Sequence, residues 1–198
     1  IWHLDNFGNK LIATIADGAS FEWDADGSTS TRATAITSAP TASRLSVVST
    51  PDRHLVYFGT ETTIGTTSTQ DDMYIRWSDQ EDINTYTPTA TNTAGTQRIA
   101  DGTRIVGAIR GRDAIYVWTD NALFIMRFVG APFTFSFQQV GTGCGLIGKN
   151  AAVEVDGSAY WMSDNGFFRY TGKLESLPCL VEDYVFDDIN TVPKQHIN

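Results

Sequence analysis

Three pairs of adjacent carboxylates could do hydrolytic chemistry: Asp71-Asp72, Glu81-Asp82 and Glu182-Asp183. Cleavage of a glycosidic bond needs two carboxyl groups about 5–9.5 Å apart, or a tyrosine nucleophile as in sialidases. Neighbouring residues of a strand point to opposite faces, so spacing alone puts none of these pairs side by side. Ser163-Asp164-Asn165-Gly166 resembles the turn boxes of sialidases but lacks their spacing. We predict no catalytic residues and no enzymatic activity.

A thiol nucleophile is the second candidate chemistry, because Cys144 lies in the glycine-rich stretch Gly141-Thr142-Gly143-Cys144-Gly145. A catalytic cysteine needs a histidine partner, and the sequence nominates none. No Lys-Ser/Thr pair follows the stretch, so it is not a phosphate-binding Walker A loop. We expect a bend between strands here. We also expect the two cysteines, Cys144 and Cys179, to be buried, reduced thiols.

Metal binding is the third candidate, and the sequence gives it little support. Zinc sites draw on clustered side chains, whereas the three histidines are far apart: His3, His54 and His196. Asp24-Ala25-Asp26-Gly27 resembles the start of a calcium loop, but Ala35 stands where the twelfth position requires Glu. We therefore predict a hairpin turn at residues 24–27, and neither a metal site nor a cofactor.

Aromatic side chains are abundant and could stack on sugars or bases: Trp77, Trp118, Trp161, Phe133, Phe135 and Phe137. The last three alternate with polar residues, as in a strand with one buried face. We expect all six to belong to the core.

Composition excludes several classes of function. The 198 residues are 41% hydrophobic and 19% charged, which is typical of a globular protein. The formal net charge is −9, and the densest basic cluster is only Arg104, Arg110 and Arg112. Sequence-reading nucleic-acid binders carry a basic stripe, so this class is disfavoured, as is binding to an anionic membrane surface. No apolar run approaches the roughly 20 residues of a membrane span.

A repeated segment indicates the architecture. Residues 115–124 align without a gap with residues 159–168, and Tyr, Asp, Asn and Phe coincide. A weaker copy surrounds Asp17-Gly18. Each copy has an apolar run, then Asp-Asn or Asp-Gly, then a second apolar run. This pattern is typical of a β-hairpin, and Asp-Gly or Asn-Gly supplies the positive φ angles of a type I′ turn.

The repeat offset predicts an all-β chain built as a β-propeller or part of one, since periods of roughly 40–45 residues are typical of four-stranded blades. By that spacing, residues 1–198 form a single propeller region of about four and a half blades, and we expect an excerpt of a longer chain. The predicted strands are 11–16, 19–24, 32–36, 44–48, 54–58, 72–78, 104–109, 114–119, 122–129, 133–140, 151–155, 158–163, 166–170 and 173–177.

Two long inserted loops and one helix complete the prediction. Residues 59–70 and 84–95 are rich in Thr with few apolar side chains, and loops of this length are usually functional or mobile. Residues 180–189 carry an apolar stripe near the helical period after Pro178, which predicts a short helix near 180–190. A strand at Tyr184-Val185-Phe186 is the alternative.

Several motifs between residues 72 and 190 together resemble a known family. They are Arg76-Trp77-Ser78-Asp79, Glu81-Asp82, Tyr86-Thr87-Pro88, Gly130-Ala131-Pro132-Phe133, Gly143-Cys144-Gly145 and Tyr160-Trp161-Met162-Ser163-Asp164-Asn165-Gly166. Their order is similar to that in the β-propeller tail proteins of short-tailed phages. This family is known as tail nozzle, tail tubular protein B or packaged-DNA stabilisation protein. Tyr86 stands where the family pattern often has Trp.

The resemblance implies a structural virion protein of the phage tail, assembled in the host cytoplasm, that extends the DNA channel and helps to retain packaged DNA. It implies a homo-oligomeric ring, usually a hexamer, with other tail or adaptor proteins as partners and duplex DNA in transient, non-specific passage. An acidic channel wall would let the duplex slide because it repels the phosphates.

Two other functions stay open from the sequence. One is a glycan-binding or glycan-cleaving propeller, such as a receptor-binding module or a glycosidase. The other is a cellular propeller that acts as a scaffold.

Overall fold

Sixteen β-strands and one short α-helix make up the computed structural model, which describes residues 1–50 and 52–189. The strands form four antiparallel sheets of four strands, and in each sheet neighbouring strands are consecutive along the chain. The described residues divide into two compact units. Unit 1 comprises Ile1–Ala100 and Phe128–Ser136, and unit 2 comprises residues 101–127 and 137–189.

Unit 1 contains the first two sheets. Its first sheet comprises β1 (Trp2–Phe7), β2 (Lys10–Ile15), β3 (Ser20–Asp24) and β4 (Thr34–Ala35). Its second sheet comprises β5 (Ser43–Val48), β6 (Leu55–Thr60), β7 (Tyr74–Trp77) and β8 (Gly95–Arg98). A single 3₁₀ turn, Thr67–Thr69, lies in the loop between β6 and β7.

Unit 2 is built from the other two sheets. One comprises β9 (Ile105–Arg110), β10 (Ile115–Thr119), β11 (Ala122–Gly130) and β12 (Thr134–Thr142), whose hairpin tip at residues 128–136 belongs to unit 1. The other comprises β13 (Ala152–Val155), β14 (Ser158–Ser163), β15 (Gly166–Tyr170) and β16 (Leu174–Leu177). The helix α1 (Glu182–Asp188) follows.

The fold prediction is confirmed: the chain is all-β, with four-stranded, propeller-like blades and one short helix. The repeat also falls where expected, because both good copies form the second and third strands of their sheets, β10–β11 and β14–β15. The weaker copy forms the same two strands of the first sheet, β2 and β3. The single region 1–198 stays a prediction.

The turn type predicted for the repeat is wrong. Neither Asp120 nor Asn121 has a positive φ; instead, the Thr119 hydroxyl accepts hydrogen bonds from the Asn121 and Ala122 amides at 3.1 and 2.8 Å. This side-chain oxygen supplies the acceptor that closes the turn, so left-handed residues are not needed. A turn with two positive φ angles does occur at Asp156-Gly157, between β13 and β14.

All fourteen predicted strands overlap an observed strand, and the sequence missed two strands, β1 and β8. The four residues of β8 offer almost no apolar alternation, since only Gly95 is buried. In β1 the alternation is present, but its large apolar side chains, Trp2 and Leu4, are exposed. Both strands are at an edge of their sheet.

Each unit has its own core. In unit 1 the first sheet packs on the second: the hydroxyls of Thr14 and Ser46 are 2.7 Å apart, and Asp5 accepts a 2.8 Å hydrogen bond from the Val48 amide. The apolar cluster beside them contains Phe7, Ile12, Ile36, Ala39, Val48, Leu55, Tyr57, Ile83 and Tyr86.

The core of unit 2 is aromatic. The rings of Trp118 and Trp161 lie 5.5 Å apart between centroids, and those of Tyr116 and Tyr170 lie 6.0 Å apart. Trp161 also donates a 2.8 Å hydrogen bond to the carbonyl of Cys144. These aromatic contacts join the sheet β9–β12 to the sheet β13–β16.

The helix is shorter than residues 180–189, and none of the apolar side chains in the predicted range is buried. Leu180, Val181 and Tyr184 are exposed, while Phe186 contacts the ring of Phe167 at 5.7 Å between centroids. The strand alternative at residues 184–186 is therefore wrong.

Candidate functional site

Arg76, the first residue of the Arg76-Trp77-Ser78-Asp79 motif, joins the two long loops of unit 1. Its side chain is buried, and its guanidinium donates hydrogen bonds to the carbonyls of Thr62, at 2.8 Å, and Tyr86, at 3.2 Å. Burial lowers the pKa of this guanidinium, and the cation lies 5.6 Å from the centre of the Tyr74 ring. Arg76 thus fixes one carbonyl from each loop.

The next three motif residues hold the second loop. The Trp77 indole donates to the carbonyl of Thr93 at 2.9 Å. The Ser78 hydroxyl donates to the carbonyl of Asp79 at 2.8 Å and accepts from the amide of Leu55, in β6, at 2.9 Å. Asp79 accepts hydrogen bonds from the amide and hydroxyl of Thr93, at 2.8 and 2.6 Å. The motif therefore orders residues 78–94 by hydrogen bonding.

Tyr86, the departure from the family pattern, is a core residue. Its ring is buried and lies 5.6 Å from that of Tyr57, and burial raises its pKa well above the usual value.

The carboxylate pairs are engaged separately rather than as pairs. Asp71 bonds Arg98 at 2.6 Å, whereas its neighbour Asp72 bonds Arg44 at 2.9 Å. Glu81 bonds Arg53 at 2.9 Å, whereas Asp82 accepts a hydrogen bond from the Thr85 hydroxyl at 2.7 Å. Glu182 and Asp183 occupy the first turn of α1, where a negative charge interacts favourably with the helix dipole.

The thiol of Cys144 is inaccessible. The side chain is buried, and desolvation raises its pKa, so the protonated form is favoured. Its neighbour Gly145 has no room for a side chain, because a Cβ would lie 2.3 Å from the backbone carbonyl carbon of Asp120. The expected bend between strands is confirmed. Cys179, by contrast, is half-buried, so the expectation of burial is wrong for that thiol.

The aromatic residues divide between core and surface. Trp77, Trp118, Trp161 and Phe135 are buried as predicted. Phe137 is half-buried, and Phe133 is 77% exposed. Phe133 departs from the predicted alternation because it lies in the turn before β12, where Thr134 has a φ of 59°.

A turn is present at residues 24–27, where the Gly27 amide bonds the carbonyl of Asp24 at 3.3 Å, but it opens a longer connection from β3 to β4 and does not close a tight hairpin. Within the described residues, no group of three or more His, Cys, Asp or Glu side chains could hold a metal ion. His196 lies outside the described residues.

A buried polar network in unit 1 was not found from the sequence. His54 is fully buried; its Nδ1 lies 2.7 Å from Oδ2 of Asp52 and its Nε2 lies 3.1 Å from Oγ1 of Thr93. Ser49 donates to Asp52 at 2.7 Å, and Thr93 donates to Asp79. The short spacing Ser49-x-x-Asp52-x-His54 was the only available signal, because Thr93 lies 39 residues away.

Acid should destabilise this network. Burial alone would raise the pKa of Asp52, but hydrogen bonds from His54 and Ser49 outweigh it, and the net pKa lies below the usual 3.8. Hydrogen bonds from Thr93 likewise outweigh desolvation and lower the pKa of Asp79. A carboxylate with a depressed folded-state pKa contributes stability above its unfolded pKa, and this contribution is lost as the pH falls through the folded value.

We therefore expect the melting temperature to fall as the pH drops below 3.8. In Asp52→Asn, the melting temperature should depend less steeply on pH in this range. Thermal unfolding followed from about pH 7 to about pH 2 measures it. Asp113→Asn, which changes an exposed carboxylate, should keep the wild-type slope. A wild-type slope in Asp52→Asn would contradict the role of this carboxylate.

The first and the last sheet each have an apolar face that does not pack on a neighbouring sheet. On the first sheet, the face away from β5–β8 carries Trp2, Leu4, Leu11, Ala13, Ile15, Phe21 and Trp23, called here the outer face of β1–β4. On the last sheet, the face away from β9–β12 carries Val153, Val155, Tyr160, Met162, Phe167 and Leu177, called the outer face of β13–β16.

Each outer face is partly exposed to solvent, although Phe186 of α1 covers Phe167 on the outer face of β13–β16. Leu4 is 65% exposed and Val153 is 54% exposed. The opposite faces of the same sheets are buried against a neighbouring sheet. Contiguous exposed apolar surface on a folded protein marks a site of interaction.

No protein-family model matches this sequence, and no curated protein matches it significantly. Among solved structures, the crystal structure of BamB from Moraxella catarrhalis is similar, with a TM-score of 0.46 and 15% sequence identity over 86% of this chain and 45% of that chain. The chain spans less than half the length of that protein. Among the described residues, no helix has the length and apolarity needed to cross a membrane.

Proposed function

We propose that this chain is a structural, non-enzymatic protein of a phage tail, a nozzle or tube-end component that extends the DNA channel and retains packaged DNA. The observation that carries the proposal is the pair of outer faces. Each leaves large apolar side chains in water on one side of a sheet whose other side is packed. Such faces require cover. Further blades of the longer chain that we expect from the sequence would supply it within one molecule; we propose instead that other copies of this chain supply it in a homo-oligomeric ring.

The roles of the Arg76-Trp77-Ser78-Asp79 motif support a structural function. All four side chains form hydrogen bonds to loop backbone within unit 1. The carboxylates that follow are likewise engaged with cations or turns. The motif on which the family resemblance rests therefore has a structural explanation in this chain.

Imaging of the native assembly tests the proposal. Negative-stain or cryo-electron microscopy should show rings with a channel wide enough for duplex DNA. Monomers that bind oligosaccharide would contradict the phage-tail proposal and favour the glycan-binding one. Lumen-facing side chains that are mainly Lys and Arg would contradict the acidic channel.

Leu4→Lys should weaken self-association by at least about tenfold, because it would place a charge in the apolar interface. Val153→Lys, on the other outer face, should act in the same way. Sedimentation velocity over a concentration series measures the effect. The control is Leu180→Lys, since Leu180 is fully exposed but lies outside both outer faces. Equal association in Leu4→Lys and Leu180→Lys would contradict the assignment of the outer face of β1–β4.

Duplex DNA should not bind measurably to the protein at physiological salt. The net charge of −9 disfavours the phosphate contacts that supply non-specific affinity. Fluorescence anisotropy with a labelled random-sequence duplex measures this at low and physiological salt. Binding that weakens steeply with salt would reveal a basic surface and contradict the sliding channel.

Glycan binding is kept as a second candidate because of one cleft in unit 1. The cleft has a volume of about 180 Å³ and is lined by the ring of Trp23 beside Lys10, Glu22, Asp24 and Arg32. An aromatic ring with charged groups suits a sugar, yet the volume is below the roughly 300 Å³ of common ligand sites. Saccharide titration of the wild type and Trp23→Ala, followed by NMR, separates the two proposals.

A further inference from the structure

His54 has a hydrogen-bonding partner at each ring nitrogen although no part of it is exposed to solvent. The proton on each nitrogen follows from what its partner can offer. A neutral imidazole donates from one nitrogen and accepts at the other, whereas an imidazolium donates from both.

Asp52 determines the proton at Nδ1. Its carboxylate has a pKa below the usual range, so it is ionised at neutral pH and can only accept hydrogen bonds. Oδ2 of Asp52 accepts from the Ser49 hydroxyl at 2.7 Å and lies 2.7 Å from Nδ1 of His54. Nδ1 must therefore carry a proton.

Thr93 determines the proton at Nε2. Its hydroxyl has one proton, which points to Oδ1 of Asp79 at 2.6 Å, another ionised acceptor. The same hydroxyl oxygen accepts a 2.9 Å hydrogen bond from the amide of Gln80. One lone pair remains for Nε2 of His54, at 3.1 Å, so this nitrogen must also carry a proton.

We propose that His54 is a buried imidazolium that fastens the hairpin tip, residues 128–136, to unit 1. The imidazole ring lies against two phenyl rings of the tip, with centroids 5.1 Å from Phe135, at 73°, and 5.7 Å from Phe128. A protonated imidazole is attracted to aromatic rings as other cations are. The charge of His54 therefore acts on the tip directly.

Thr134 ties the same tip to the network at a second point. Its hydroxyl donates a 3.0 Å hydrogen bond to the carbonyl of Thr93, which also accepts from Trp77. Thr134 has a φ of 59°, a left-handed conformation that is unfavourable for a β-branched residue. Such a conformation persists only where surrounding contacts hold it, and here they converge on Thr93.

The charges around His54 come from two elements of the second sheet. Asp52 belongs to the β5–β6 connection, and Asp79 follows β7. The tip presents the phenyl rings of Phe128 and Phe135 and the hydroxyl of Thr134. A neutral His54 that keeps its proton at Nδ1 would have a lone pair at Nε2 facing the remaining lone pair of the Thr93 hydroxyl. The tip should then loosen.

Nitrogen NMR of protein labelled with ¹⁵N-histidine tests the charge in the wild type. At neutral pH, both ring nitrogens of His54 should resonate as protonated nitrogens, each coupled to its own hydrogen. The variants His3→Gln and His196→Gln assign the other two rings by elimination. A single protonated ring nitrogen in His54 at neutral pH would overturn the proposal, whether or not any His54 variant folds.

Hydrogen exchange followed by mass spectrometry tests the fastening. In His54→Gln, which keeps a polar side chain but removes the charge, amides in residues 128–136 should exchange about tenfold faster. His3→Gln is the matched control and should leave the tip unchanged. Unchanged exchange at residues 128–136 in His54→Gln would overturn the role of the charge.

Discussion

Arg76→Met should destabilise unit 1 by about 3 kcal/mol. The substitution keeps the apolar stem and removes the donors, so the buried carbonyls of Thr62 and Tyr86 lose their hydrogen bonds. It also removes the cation near Glu61, whose side chain is fully buried. Urea denaturation followed by tryptophan fluorescence and circular dichroism measures the loss.

Arg98→Ala is the matched control for this prediction. Arg98 bonds the carboxylate of Asp71, and its side chain is 58% exposed. Exposed ion pairs contribute less than about 1 kcal/mol because water and salt screen them. Equal losses in Arg76→Met and Arg98→Ala would mean that burial of the guanidinium contributes nothing to holding the two loops.

Trp161→Ala should destabilise unit 2 by about 3–5 kcal/mol. The indole is buried between Trp118 and Phe168, and its removal creates a cavity where the two sheets of the unit meet. The carbonyl of Cys144 would lose its hydrogen bond from the indole as well. Chemical denaturation should show a lower midpoint for the signals of unit 2.

Phe133→Ala gives the comparison for an aromatic residue that is not part of the core. Phe133 is 77% exposed, so its removal should change the unfolding free energy by less than about 0.5 kcal/mol. A loss in Trp161→Ala as small as that in Phe133→Ala would contradict the role of Trp161 between the two sheets.

The fold was predictable because its signals are local. Each blade is a meander of consecutive strands, so the period-two alternation and the repeat offset both survive in a single sequence. The strand β1 was missed, and its apolar residues, Trp2 and Leu4, face solvent and add nothing to the core of unit 1. The same two residues now define an outer face, which links the missed strand to the proposed assembly.

The buried network was not predictable because its contacts are distant in sequence. His54 and Thr93 lie 39 residues apart, and Thr134 reaches Thr93 from 41 residues away. Thr93 lies in a loop whose composition predicts only exposure. The type of turn in the repeat also depends on one hydroxyl, that of Thr119, which accepts the hydrogen bond that closes the turn. The preference of Asp, Asn and Gly for positive φ angles does not predict this hydrogen bond.

The hairpin tip belongs to unit 1 although it comes late in the chain, and this affects folding during synthesis on the ribosome. The first two blades are finished by residue 98, yet residues 128–136 belong to the same unit. Until residue 136 has left the exit tunnel, the rings of Trp77 and His54 lack the cover of Phe135. Domains generally fold from the N-terminus as the chain emerges, so the early part of this chain must wait for a late segment. Ribosome-bound chains of increasing length should gain full protease resistance in residues 1–100 only after the tip has emerged.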